Sequence, residues 1–311
     1  MASTNTITVG TEQIERVPGI FANQLAEANE SLLSEIQTAR AVRNKFSMTE
    51  GETDDTFLQP YAPKLTATGA LDITETDYSI FNYGIKHEIP FNVFDNTKFK
   101  IDDIKDEELD PEVKEFLAER MGQRAANRVQ KGLFTGNGGL TGDLSSDTPD
   151  GWPVTIKAAL TAASLTNRII SDATNDPKSK ADILTVLNLM IAQASDAMLD
   201  NPDNFAFIIP KRCHRAYKGA LKDQVATNFT NTPEMYEDFQ MKAYQNCNPN
   251  RIILGNTANL GAGFDFSGEA LELDFINQYP INGDNLSLAV GKFGFGAGSV
   301  TTDFVIFEFT A

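Results

Sequence analysis

Tyr78-Ser-Ile-Phe-Asn-Tyr-Gly-Ile-Lys-His-Glu-Ile-Pro-Phe91 leads to the helix-start signal Asp110-Pro111-Glu112, and then to Gly132-Leu-Phe-Thr-Gly-Asn-Gly-Gly-Leu-Thr-Gly-Asp143. The first stretch is aromatic and β-branched and alternates in places, which reads as strand. Asp110 can cap free N–H groups, and Pro111 suits the first helical position, where no N–H is needed. The sequence therefore predicts a long helix from Pro111 to about Gly132. Acids crowd its start (Asp106, Glu107, Glu108, Asp110, Glu112, Glu115), and Arg120, Arg124, Arg128 and Lys131 follow toward its end. That gradient complements the helix dipole, and the glycines beyond supply the tight change of direction that ends the helix.

On the N-terminal side, residues 1–19 are polar and contain Pro18-Gly19, which reads as an arm or linker. From Ile20 to Phe46 the pattern is helical: Leu25, Leu32, Ala39 and Phe46 recur every seven residues, with Ile36 and Val42 near the same face. Such a helix docks either on its own domain or on another subunit. Residues 47–77 are rich in Thr, Asp, Gly, Pro and Ala and offer few core anchors. An excursion this long is unusual in a compact domain unless it has its own task. It reads as a projecting β loop that packs on a neighbouring chain.

On the C-terminal side, Trp152-Pro-Val-Thr-Ile156 opens a new region, with helix from about Ala158. Ser179-Lys-Ala-Asp182 resembles a capping box for a helix whose face is Ile183, Leu187, Ile191, Ala194 and Met198. Phe205-Ala-Phe-Ile-Ile209 is a continuous apolar run, as in a buried strand, and Pro210 stops it. A basic helix follows with Lys211, Arg212, Arg215, Lys218 and Lys222. Arg251–Leu254, Leu271–Phe275, Leu286–Val290 and Asp303–Phe309 read as strands joined by Gly and Asn turns. The class is α+β, with strands gathered toward the C-terminal half.

The chain has 311 residues, 26 basic and 43 acidic, for a formal net charge of −17. That balance disfavours a general nucleic-acid binder, whose affinity rests on Lys and Arg neutralising phosphates. The two cysteines, Cys213 and Cys247, do not make a disulfide framework. No apolar run is long enough to cross a bilayer, and the first residues lack the pattern of a signal peptide. A soluble protein made in the cytosol is the expectation.

Catalytic chemistry is not in evidence. The two histidines, His87 and His214, lie far apart, and a site built from Cys213, His214 and Cys247 lacks metal-ligand spacing and a fourth partner. Cys213 and His214 are also neighbours on a helix and point apart, against a nucleophile pair. Gly291-Lys-Phe-Gly-Phe-Gly-Ala-Gly298 invites a phosphate-loop reading, but a strand follows it rather than a helix. Acidic pairs such as Asp54-Asp55, Asp102-Asp103 and Glu107-Glu108 read as solvated surface. No enzyme, catalytic residue, cofactor or metal site is expected. The row Arg120, Arg124, Arg128 and Lys131 shares one helix face. It complements the dipole and local acids, or else makes an ionic contact with a neighbouring chain.

Five phrases follow one another along the chain: Ile89-Pro-Phe-Asn-Val-Phe-Asp95, Gly136-Asn-Gly-Gly-Leu-Thr-Gly142, Asn204-Phe-Ala-Phe-Ile-Ile-Pro210, Lys222-Asp223 and Arg251-Ile-Ile-Leu-Gly-Asn-Thr-Ala-Asn-Leu-Gly-Ala-Gly-Phe-Asp265. With the order of elements around them, they resemble the major capsid proteins of tailed bacteriophages, the α+β Hong Kong 97-like shell fold. The resemblance implies an N-terminal arm (1–46) and an extended β loop with flanking strands (47–100). A peripheral domain (101–204) would hold the spine helix 111–132, followed by an axial domain (205–250) and returning C-terminal strands (251–311). It further implies an icosahedral virion head built of hexamers and pentamers around double-stranded DNA, assembled in the host cytoplasm. Partners would be copies of the chain, a separate scaffold protein (the arm being too short to serve), a portal and decoration proteins, with neither membrane nor sequence-specific nucleic-acid binding. The same fold builds encapsulin compartments, the alternative; a glycine-loop nucleotide-binding enzyme is a more distant one.

Overall fold

The structure, a computed structural model, describes residues 35–40, 45–53, 71–90, 111–136, 150–223, 234–245, 247–265, 273–277 and 286–310. In chain order the strands and helices are β1 (Gln37–Arg40), β2 (Lys45–Thr53), β3 (Leu71–Ser79), β4 (Phe81–Pro90), α1 (Pro111–Thr135), α2 (Trp152–Ala162) and β5 (Ile169–Asp172). Then come α3 (Ile183–Ile191), α4 (Asp196–Asp200), β6 (Ala206–Pro210), α5 (Lys211–Asp223), β7 (Met235–Tyr236) and β8 (Phe239–Tyr244). The last are β9 (Arg251–Gly255), β10 (Leu260–Asp265), β11 (Leu273–Asn277), β12 (Leu286–Ser299) and β13 (Phe304–Phe309).

Among the described residues three sheets form. A mixed six-stranded sheet runs β5-β13-β9-β6-β8-β7, with β13 parallel to β5 and β6 parallel to β8. A second sheet is organised around β12, which pairs antiparallel with β4, β11 and β10, while β1 adds to β10 in parallel. Leu288 pairs with both Glu88 and Ile276, so β4 lies on one edge of β12 and β11 on the other. The third is the β2–β3 hairpin, paired from Lys45↔Ser79 to Thr53↔Leu71.

The six-stranded sheet is covered on both faces, which explains why β6 is buried at every position and its sequence is continuously apolar. Phe207, Ile209, Ile252, Leu254, Val305 and Phe307 face α3 and α5. Ile208, Ile253, Phe304 and Ile306 face the other core, which α1, α2 and β12 share. Helix α2 lies between the sheets, touching both β12 and β13. It buries Trp152, Ile156 and Leu160 one turn apart. The Trp152 indole N–H donates to the Gly261 carbonyl at 2.8 Å.

Helix α1 begins at Pro111, as its signal predicts, and buries Ala118, Ala125, Ala126, Val129 and Leu133 along one stripe. It does not stop at Gly132. Gly132, Leu133 and Phe134 are buried and continue the helix to Thr135, because the Phe134 and Leu133 side chains complete the core. The last turn therefore holds no base, and Lys131 sits a turn before the end. The remainder of the glycine run, 137–142, lies outside the described residues, as do Asp110 and the acids before it.

Several expectations need correction. The helical pattern does not extend to Phe46: Gln37–Arg40 and Lys45–Thr53 are strands, so Ala39 and Phe46 belong to sheets. Residues 1–34 lie outside the described residues. Helix α2 starts at Trp152 rather than near Ala158, with Pro153 in its first turn, where its missing N–H costs nothing. The capping box at 179–182 does not form. Ser179 Oγ accepts from the Ala181 N–H in a turn, and the helix begins only after Asp182, which makes no side-chain cap bond. The face from Ile183 to Met198 is divided between α3 and α4, although Ile183, Leu187 and Met198 all reach the same core. Strands β5, β7, β8 and β10 lack a clear strand pattern in the sequence.

Candidate assembly surfaces

The β2–β3 hairpin is held to the body at its base. Met48 and Ile80 are buried there against Tyr78 and Val300. Met48 sits over Gly261 of β10, and the Tyr78 ring over Gly298 of β12; a Cβ at either glycine would overlap the side chain above it. The Tyr78 hydroxyl donates to the Ser299 carbonyl. Away from this seat Glu75, Thr76 and Asp77 are exposed, as is Ser47. Asp77 accepts from the Ser47 hydroxyl at 2.7 Å and lies 3.6 Å from Lys45. An isolated two-stranded hairpin is marginal in water. The tip, residues 54–70, lies outside the described residues.

The basic row lies on the solvent side of α1. Arg120, Arg124 and Lys131 are exposed, and Arg128 is half-buried with contacts of its own. The Arg120 guanidinium stands 5.5 Å from the Phe116 ring centroid. Phe116, Leu117, Arg120, Met121 and Arg124 form one wall of a cleft of about 490 Å³, and His87 to Pro90 of β4 form the other. The spacing thus places two of the four cations at an apolar-floored groove between α1 and β4, and the other two beyond it.

Two ionic clusters hold the frame behind these surfaces. Glu308 of β13 contacts Lys157 of α2 and Arg251 of β9. Glu35, just before β1, accepts from Tyr244 Oη at 2.5 Å and lies 3.0 Å from Lys242 of β8. That pair anchors the entry to β1 on the six-stranded sheet. Burial first, and then the hydrogen bond to Glu35, push the Tyr244 phenol upward. Tyr244 packs on Phe134, which meets Trp152 edge-on at 5.0 Å.

The chemistry-bearing residues are spread out or inert. Cys213 is buried, bonds the Pro249 carbonyl at 3.1 Å, and has its thiol pushed up to about 12 by burial. Burial also raises the Cys247 thiol, so neither resembles an activated thiolate. His214 stacks on Tyr217, and His87 is exposed on β4. Among the described residues no group of three or more His, Cys, Asp or Glu side chains could hold a metal ion. Gly291–Gly298 lies within β12, with β4 and β10 both paired to it, so it offers no phosphate loop. Among the described residues no helix is long and apolar enough to cross a membrane. The acidic pairs at 54–55, 102–103 and 107–108 lie outside the described residues.

No protein-family model matches the chain, and no curated protein does. Solved structures do. A chain of the satellite phage P4 procapsid that includes the size determination (Sid) protein is 9% identical, with a TM-score of 0.56, over 93% of this chain and 90% of that one. The capsid of the native GTA particle is 15% identical over 90% of both chains, with a TM-score of 0.54. A chain of Mycobacterium phage Adephagia is 12% identical over 90% of both, with a TM-score of 0.53. At such identities the likeness is one of fold. The chain has the α+β, Hong Kong 97-like capsid fold.

Proposed function

We propose that this chain is a structural protein, not an enzyme, that assembles with copies of itself into the icosahedral head shell of a tailed bacteriophage enclosing double-stranded DNA. The observation that carries the reading is the β2–β3 hairpin, two nine-residue strands whose apolar seat on the body, among the described residues, lies at their base around Met48, Tyr78 and Ile80. Such an element gains its packing from another chain. The neighbours with this fold are themselves described as capsids and a procapsid, which supports the same role here. In this reading the hairpin is the extended loop and α1 the spine of the peripheral domain. The region around 205–250 belongs to the axial domain, which borrows β9 and β13 for its sheet. Arg120, Arg124, Arg128 and Lys131 form contacts between subunits. Hexamers and pentamers, a separate scaffold protein, a portal, decoration proteins and assembly in the host cytoplasm belong to the same proposal.

Sedimentation velocity and negative-stain electron microscopy of the purified full chain test it. Rings, or closed shells, are the expected result. A chain that remains a monomer at every concentration and ionic strength overturns it. Nucleic-acid content decides the rest: particles from native lysates that hold protein cargo in place of DNA turn the shell into an encapsulin-type compartment.

A further inference from the structure

Helix α5 carries Lys211, Arg215, Lys218 and Lys222 at helical spacing, with Arg212 beside them, and all are exposed. The opposite face is clamped into the core: Cys213, Ala216, Tyr217 and Ala220 are buried, and the Tyr217 hydroxyl donates to the Met235 carbonyl at 2.6 Å. The cations are thus held on a rigid support. The Lys180 stem lies over Gly219 on the same helix, where a Cβ would overlap it. Among the described residues none of the five makes a salt bridge. The helix dipole favours only part of this stripe. Lys222 sits in the last turn, where the dipole is negative, but Lys211 and Arg212 sit at the positive end, whose first turn holds no acid. Local helix stability therefore does not account for the whole stripe.

The chain as a whole has a net charge of −17. Two copies repel on average, and opposite charges brought together at short range offset that repulsion and fix the register of the contact. Five of its 26 basic residues are gathered on this one helix face. We propose that the α5 stripe is the positive half of a contact between copies of this chain, seated against an acidic face of the adjacent copy. The inference rests on the shell reading and adds to it a specific surface, separate from the row on α1. A head-to-tail contact of this kind closes into rings when the rotation between copies allows.

The test is the full chain carrying Arg212→Glu, Arg215→Glu and Lys218→Glu, compared with wild type by thermal melting, sedimentation velocity and electron microscopy. A folded variant whose yield of rings and shells falls more than about tenfold is the expected result, since each reversal turns attraction into repulsion. Should that variant not fold, the milder Arg212→Gln, Arg215→Gln and Lys218→Gln chain takes its place, with a smaller loss expected. Equal assembly by wild type and variant overturns the contact and leaves the shell reading intact. A wild-type chain that never assembles overturns both. Duplex DNA in a gel-shift assay provides the last arm: if wild type binds it, and the variant loses that binding while assembling normally, the stripe faces nucleic acid and the contact is overturned.

Discussion

The ring of Phe295 occupies the space that a side chain at Gly132 would fill. Gly132 lies inside α1 and Phe295 inside β12, so the helix backbone comes down onto the tip of a ring carried by the central strand. Small residues continue this approach along the helix, with Ala118, Ala125 and Ala126 all buried.

Gly132→Ala is therefore expected to destabilise the subunit by about 1–3 kcal/mol through overpacking. Helix propensity alone gives the opposite sign, favouring Ala by about 1 kcal/mol. Urea unfolding separates the two. In a Phe295→Leu background the penalty should shrink, because the two positions share one space. A stabilised Gly132→Ala chain would show that the helix can shift away from the sheet.

The hairpin can be shortened without disturbing its seat. Thr49 pairs with Glu75, so removing residues 50–74 and joining the ends through an Asn-Gly turn leaves Met48 and Tyr78 in place. The trimmed chain should melt within a few degrees of wild type and fail to form shells. An insoluble product would mean that the hairpin serves its own subunit's core.

Arg124→Glu with Lys131→Glu, both at exposed positions, probes the row on α1. Exposed charge changes usually shift stability by no more than about 0.5 kcal/mol. Assembly measured by sedimentation should suffer far more than the thermal midpoint. Comparable losses in both would assign these side chains to ion pairs within the subunit.

Burial alone would raise the Glu308 carboxyl, but the hydrogen bond from Lys157 and the charges of Arg251 and Lys157 outweigh it and hold the group below its ordinary value. A carboxylate lowered by folding stabilises the native state above its unfolded value, and that contribution is lost as pH falls through the folded one. Glu308→Gln should therefore cost about 1–3 kcal/mol at neutral pH, less than breaking a fully buried pair. The gap from wild type should narrow below about pH 4. Chemical denaturation across that range measures it, and a gap independent of pH would exclude the ionic explanation.

Much of this architecture is legible in the residues themselves. The Asp110-Pro111-Glu112 signal locates the start of α1, and Phe205–Ile209 announces a strand covered on both faces. The basic row on α1 follows from its spacing alone. The elements without a local signal depend on distant partners. Leu260-Gly-Ala-Gly-Phe-Asp265 has weak strand character and becomes β10 because β12 and β1 flank it. The seven-residue recurrence through Ala39 and Phe46 mimics a helix, yet the hydrogen bonds available from β10 and β3 draw both residues into strands. The hairpin seat was equally hidden, since Gly261 and Gly298 acquire their meaning only when Met48 and Tyr78 arrive over them.

The pairing of β4 with β12, from Phe81↔Phe295 to Pro90↔Leu286, has a consequence for biosynthesis. On the ribosome β4 emerges long before its partner, and β5 likewise waits for β13. Neither large sheet can close on a nascent chain that lacks these late strands. The hairpin seat is in the same position, since Gly298 and the Ser299 carbonyl belong to β12. Unfinished chains thus lack a formed seat for the element proposed to reach their neighbours, and their strand edges stay unpaired until β12 and β13 arrive.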